Sequence, residues 1–404
     1  MKFKNYPLGI LLLFCFVPAA LRGSVIVSDT TKVDSSKQLD MIDVINHIFS
    51  KHAKPEERKT EPNFSLSFIP AIGYTLSTGF VLDVNANFDF YTNKNLKKNL
   101  SYVDIEAFYD SKAQKNLYVQ SSIWANNDNL RLVGDARFLI YPDDTYGLGG
   151  FTTDADDNKI HYNYLRFYET LLGKVVPHLF MGGGVNFDYH YNISEDGIPG
   201  RPATGFDQYG FTTTSTSSGL NFTTLYDTRP DPINPQSGTY ANFVFRQNVT
   251  FLGSNTNWES AQLDYRRYFH FPAGSQNVLA IWNMDWFTFN GKAPYMDLPT
   301  TGSDTFNNLG RGYEIGRFRG QDLLYLETEY RYHITSNGFL GGVVFTNAQS
   351  YTEFPGGGFK RIIPAVGAGA RIKINKQSNT NICIDYAYGF DNSKGFFVNL
   401  GEMF

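Results

Sequence analysis

From Phe64 onward the chain alternates apolar and polar residues with a period of two. Phe80, Leu82, Val84, Ala86, Phe88 and Phe90 fall on one face, and Val81, Asp83, Asn85, Asn87, Asp89 and Tyr91 on the other. Leu324, Leu326, Thr328 and Tyr330 oppose Tyr325, Glu327, Glu329 and Arg331 in the same way. Near the end, Ile382, Ile384, Tyr386 and Tyr388 oppose Asn381, Cys383, Asp385 and Ala387. Successive side chains of an extended chain point to opposite sides, so such strands meet an apolar medium on one face and a polar one on the other. The pattern predicts sixteen strands, at 64–74, 79–91, 99–110, 116–125, 129–141, 159–171, 178–191, 214–227, 238–249, 256–270, 277–289, 321–333, 339–349, 363–374, 380–389 and 394–404.

The connections differ by side. Those after even-numbered strands are mostly short, such as 272–276 and 334–338, whereas those after odd-numbered strands include 142–158, 192–213 and 290–320. Short turns on one side and long loops on the other mark an outer-membrane barrel, and an even strand number puts both chain ends in the periplasm. A soluble sandwich would not turn charged residues toward its core. The expected fold is all-β: a sixteen-stranded antiparallel transmembrane β-barrel over residues 63–404, with a short N-terminal periplasmic helix, in the outer membrane of a Gram-negative bacterium.

Ahead of the barrel, Lys2 and Lys4 precede an apolar stretch from Leu8 to Leu21, followed by small residues Gly23 and Ser24. This is the form of a secretory signal, assigned to residues 1–23. In the periplasmic segment 24–62, Leu39, Ile42, Ile45 and Phe49 recur at helical spacing between Ser35 and Lys51. Ser35 and Gln38 have the form of a capping box. The expectation is a helix that covers one end of the barrel, the other reading being a docking helix for a protein partner.

Composition narrows the chemistry. A formal charge of −4, from 35 basic and 39 acidic residues, argues against nucleic acid as a partner. Only 18% of residues are charged, against about 25% in soluble domains. The 35 Phe and 26 Tyr suit interfacial girdles, with membrane lipid as the surrounding partner. With Cys15 in the signal, Cys383 is the single cysteine of the mature chain, which excludes an intramolecular disulfide and a cysteine-based zinc site. His161, His178, His270 and His333 are scattered, so neither metal nor cofactor is predicted. Asp188 and His190 share one face of strand seven, but no serine motif accompanies them, and no enzyme activity is expected.

Four passages resemble the C-terminal barrel of the Omp85 superfamily, the bacterial surface antigen or BamA/TamA-like proteins. Leu225-Tyr-Asp-Thr-Arg229, with Asn234-Pro235 and Gly238, is similar to the family's turn between strands eight and nine. Arg311-Gly312-Tyr313 resembles its loop-six motif, and Glu329-Tyr330-Arg331 the strand that follows. The ending from Val398 to Phe404 resembles its terminal assembly signal. Two departures stand out: Gly310 replaces the usual hydrophobic residue before the arginine, and Asn347 stands where the family often has an aspartate that pairs with it. Family members carry periplasmic POTRA domains, for which residues 24–62 are too few.

The resemblance implies that loop six folds into the lumen. Arg311 must then find a carboxylate, because an unpaired buried charge is costly. Glu327, Glu329 and Asp385 are the inward candidates, with Arg331 and Arg371 beside them. Pro70 and Gly73 on the first strand, with Gly401 on the last, predict a weak seam between them, since proline lacks a ladder donor. A local bulge is the alternative; the resemblance makes the seam a lateral gate. Phe396, Val398, Leu400 and Phe404 are the residues of the terminal assembly signal that the barrel assembly machinery is expected to recognise, with Phe404 clear of the lumen. Two functions stay open: insertion or translocation of a protein or lipid client through the seam, or a passive channel or structural barrel. The first requires the N-terminal helix, or a periplasmic or membrane protein partner, to replace the missing domains.

Overall fold

Alternating side chains commit each patterned segment to a strand. The computed structural model describes residues 38–41, 43–44, 64–75, 79–92, 99–354, 357–376 and 379–404, with the backbone alone for 69–75. The strands are β1 (Phe64–Thr75), β2 (Gly79–Phe90), β3 (Ser101–Asp110), β4 (Lys115–Ala125), β5 (Leu130–Thr145), β6 (Asn158–Val176), β7 (Leu179–Glu195) and β8 (Ser215–Asp227). They continue as β9 (Gly238–Asn248), β10 (Trp258–His270), β11 (Val278–Phe289), β12 (Asp322–His333), β13 (Leu340–Tyr351), β14 (Ile363–Asn375), β15 (Thr380–Gly389) and β16 (Lys394–Leu400). Each pairs antiparallel with its neighbour in chain order, giving one sixteen-stranded sheet. Residues Leu39–Phe404 form a single compact unit.

The sheet is inverted relative to a soluble protein. Phe80, Leu82, Leu171, Leu220, Phe222, Val366 and Phe396 are exposed on its outside, whereas Asn186, Asp188, Arg246, Glu327, Glu329 and Asp385 are buried inside. An apolar outer face and a polar lumen are what a transmembrane barrel requires. No helix among the described residues is long and apolar enough to cross a membrane.

Three strands outrun their predicted lengths. β5, β6 and β7 reach 16, 19 and 17 residues; β5 and β7 are extended on the long-loop side, and β6 mainly past Leu171 on the short-turn side. Their backbone pairing continues through Asp143↔Ile160 and Ile160↔Glu195, past the stretch where apolar alternation marks a strand. The last strand errs the other way. β16 ends at Leu400, and Gly401, with φ +85°, turns the chain into the lumen.

Residues 1–23, the expected signal, and most of 24–62 lie outside the described residues. Met41, Asp43 and Val44 are helical, while Leu39 and Asp40 are not, so the helix starts later than the Ser35–Gln38 box implied. Asp40 caps it instead: its Oδ1 accepts from the Asp43 N–H at 2.9 Å, and Asp43 Oδ2 accepts from the Asp40 N–H at 3.2 Å. Both carboxylates also bind the β14–β15 turn, Asp40 through the Lys376 N–H at 3.1 Å and Asp43 through Lys376 Nζ at 2.6 Å.

Candidate functional site

Loop six, residues 290–321, leaves β11 and crosses the lumen. Inside it, Asp304 accepts from the Leu309 N–H at 2.6 Å and the Phe306 N–H at 3.1 Å, which folds the tip back. Arg137 on β5 donates to the Thr305 carbonyl at 3.1 Å on one wall. On another wall lies Arg311. Gly312, at φ +110°, allows the approach: a Cβ there would sit 2.8 Å from that of Ala365 on β14. The Tyr313 hydroxyl anchors the next position, donating to the Pro364 carbonyl and accepting from the Phe390 N–H at 2.6 Å. A cavity of about 130 Å³ remains beside the loop, bordered by Tyr118, Arg166, His190 and Arg319. That is room for several water molecules.

Arg311 is 1% exposed. Its Nη1 donates to Asp385 Oδ2 at 2.5 Å, and its Nη2 to both Glu327 and Glu329. The guanidinium stacks over Phe345, 3.7 Å from the ring centroid. Burial opposes its charge, but Glu327, Glu329 and Asp385 more than offset this and keep it protonated. Asn347 takes no part in pairing the Arg311 side chain: its Nδ2 donates to the Arg311 carbonyl at 2.8 Å. It fixes the loop backbone and leaves the guanidinium to the three carboxylates.

The other predicted ions join the same knot. Arg331 Nε donates to Glu329 at 2.6 Å, and Arg371 Nη1 donates to Asp385. A fourth carboxylate completes it. Glu402 accepts from Arg371 Nε at 2.8 Å and from Asn381 Nδ2 at 2.8 Å, and lies 3.6 Å from Arg331. Sequence reasoning missed Glu402 because alternation from Leu400 turns it toward lipid. That position was itself a signal, since a carboxylate directed at hydrocarbon, next to a glycine, invites a turn inward.

Phe404 requires a correction. The terminal signal implies a residue clear of the lumen; instead Phe404 is 3% exposed, with its ring 5.2 Å from that of Trp282 and 6.1 Å from that of Tyr268. Phe396, Val398 and Leu400 do face outward. Gly401 also differs from its expected place in the seam ladder: it makes the turn, and its N–H donates to the Asn381 carbonyl at 2.9 Å.

β1 and β16 approach each other, yet among the described residues no ladder joins them. Pro70 and Gly73 pair only with β2, opposite Val84 and Val81. A proline removes one donor, so Pro70 alone does not explain a gap that runs along both strands.

Asp188 and His190 belong to a second network. Asp188 accepts from Tyr168 at 2.7 Å and pairs with Arg246 at 2.7 Å. His190 stacks on Tyr164 at 4.1 Å and stands 3.7 Å from Asp297 of loop six. Tyr164, which donates to Asp188 and stacks on His190, joins the two within the lumen wall.

No family model and no curated protein matches this chain. Solved structures do. BamA from Haemophilus ducreyi lacking POTRA domains 1–3 is similar over 85% of this chain and 71% of its own, with a TM-score of 0.56 at 14% identity. The chain has a BamA-like barrel fold. CdiB from Escherichia coli gives 0.55 at 10% identity, over 86% of this chain and 63% of its own. CdiB from Acinetobacter baumannii gives 0.51 at 11%, over 84% and 65%. The chain thus spans less than two thirds of either CdiB. At these identities the likeness is one of fold.

Proposed function

We propose that this protein is a Gram-negative outer-membrane barrel that assists insertion or translocation of a protein or lipid client through its β1–β16 seam. The observation that carries this reading is the seam itself. Fifteen neighbouring pairs of strands form ladders, and among the described residues the sheet still ends in two edges that no ladder joins. Unpaired edges are templates for strand addition, which a closed barrel has no reason to keep. The plugged lumen supports the same reading, because it leaves the seam as the route for anything large. No catalytic step is part of the proposal.

A disulfide across the seam tests it. Cysteines at outward positions Leu66 or Phe68 on β1 and Val398 or Leu400 on β16, in a Cys383→Ser background, form a panel that finds the local register. A locked barrel that folds normally should fail to restore outer-membrane protein or lipid composition in cells lacking the native protein, and reductant should rescue it. Full complementation by the locked barrel would remove the gate and favour a passive barrel.

A further inference from the structure

Glu402, Met403 and Phe404 join loop six to the seam strand. An extended β16 would carry Glu402 and Phe404 onto the lipid-facing row of Phe396, Val398 and Leu400. An ionised carboxylate is strongly disfavoured there. The turn at Gly401 instead takes all three residues into the lumen, where each meets a different partner. Glu402 binds Arg371 at 2.8 Å. The Met403 carbonyl accepts from Asn308 Nδ2 of loop six at 2.8 Å. Phe404 packs on Trp282, and its main-chain oxygen accepts from Arg331 Nη2 at 3.0 Å.

The opposite mouth also grips this tail. The β8–β9 loop, residues 228–237, reaches across the barrel, so that the Ile233 carbonyl accepts from the Glu402 N–H at 3.1 Å. The Pro235 carbonyl accepts from Arg331 Nη1 at 3.3 Å, and Asn234 Nδ2 donates to the Asn379 carbonyl at 3.2 Å. The tail is therefore clamped between a loop from each end of the barrel.

We propose that Glu402–Phe404 form a latch that couples the loop-six plug to the seam. With the tail inside, the plug is tied to β16 through Asn308, and β16 is bent inward at Gly401. Withdrawal of the tail releases β16 and removes one of the ties that hold the plug. The same residues cannot both lie in the lumen and continue the outward row. The inference concerns the plug and holds whether or not a client uses the seam.

The test uses the whole mature protein, refolded from denaturant into detergent and reconstituted in planar bilayers. Glu402→Gln and a deletion of 402–404 should raise the frequency of channel openings by about tenfold or more. Cysteines at Asn308 and Met403 in the Cys383→Ser background should cross-link, suppress openings below the wild-type level and release them on reduction. Wild-type openings in a deletion variant with normal heat-modifiable mobility would overturn the latch. Should the deletion variant not fold, unchanged openings in Glu402→Gln and in the oxidised pair would overturn it equally. Failure of the cysteines to cross-link in folded protein would place the tail outside the lumen, with the same consequence.

Discussion

Arg311 and Asp385 lie 74 positions apart in sequence and meet at 2.5 Å in the lumen. One belongs to an inserted loop and the other to β15, the partner of the seam strand. This contact makes the plug part of the wall that borders the free edge.

Loss of the Arg311 charge should destabilise the folded barrel. Arg311→Ala leaves Glu327, Glu329 and Asp385 short of a cation, and breaking such a buried set costs on the order of 3–5 kcal/mol. Denaturant titration in detergent, read by gel mobility without boiling, should show the loss. Arg311→Lys keeps the charge without the planar fork and should recover only part of it.

Deleting residues 303–316 removes the tip and its arginine together. Single-channel conductance of the deleted barrel should exceed that of the intact one, which should be low or flickering. A large, steady pore in the intact protein would contradict a lumen filled by loop six.

Removal of Phe404 should act twice. It takes away an aromatic packed on Trp282 and Tyr268, a loss of roughly 3–5 kcal/mol for a buried Phe. It also removes the terminal aromatic that we propose the barrel assembly machinery recognises before the tail folds inward. Refolding in detergent isolates the first effect, and membrane insertion in cells reports both. An unchanged melting transition in detergent would show that the ring does not pack in the lumen.

Asp40→Ala should free the N-terminal anchor without touching the barrel. It removes the cap, worth about 1 kcal/mol, and the acceptor for the Lys376 N–H. Limited proteolysis should cleave before Phe64 faster, with barrel melting unchanged. Burial works against the Asp43 carboxylate, but the bond to Lys376 and the cap outweigh it, so its pKa lies below 3.8. A lowered folded-state pKa contributes stability at neutral pH that fades as the pH falls below that value. Docking should therefore persist through mildly acid conditions.

Strand number and the apolar face of each strand were legible in the chain. These follow from the period-two pattern, a local property set by the medium on each side of one strand. It also marked Glu327, Glu329, Arg331, Arg371 and Asp385 as inward, again by alternation alone. What it could not contain is which of them Arg311 meets, because that pairing needs a loop, β12 and β15 to converge around one guanidinium. Glu402 and Phe404 passed to the lumen for a related reason. Strand alternation assigned them to lipid, and only the waiting Arg371, Arg331, Asn308 and Trp282 make the turn at Gly401 favourable. The open seam was the least legible feature. Pro70 marked one weak position, but whether two whole edges pair depends on how sixteen strands close around a filled lumen, and that is decided by the barrel as a whole.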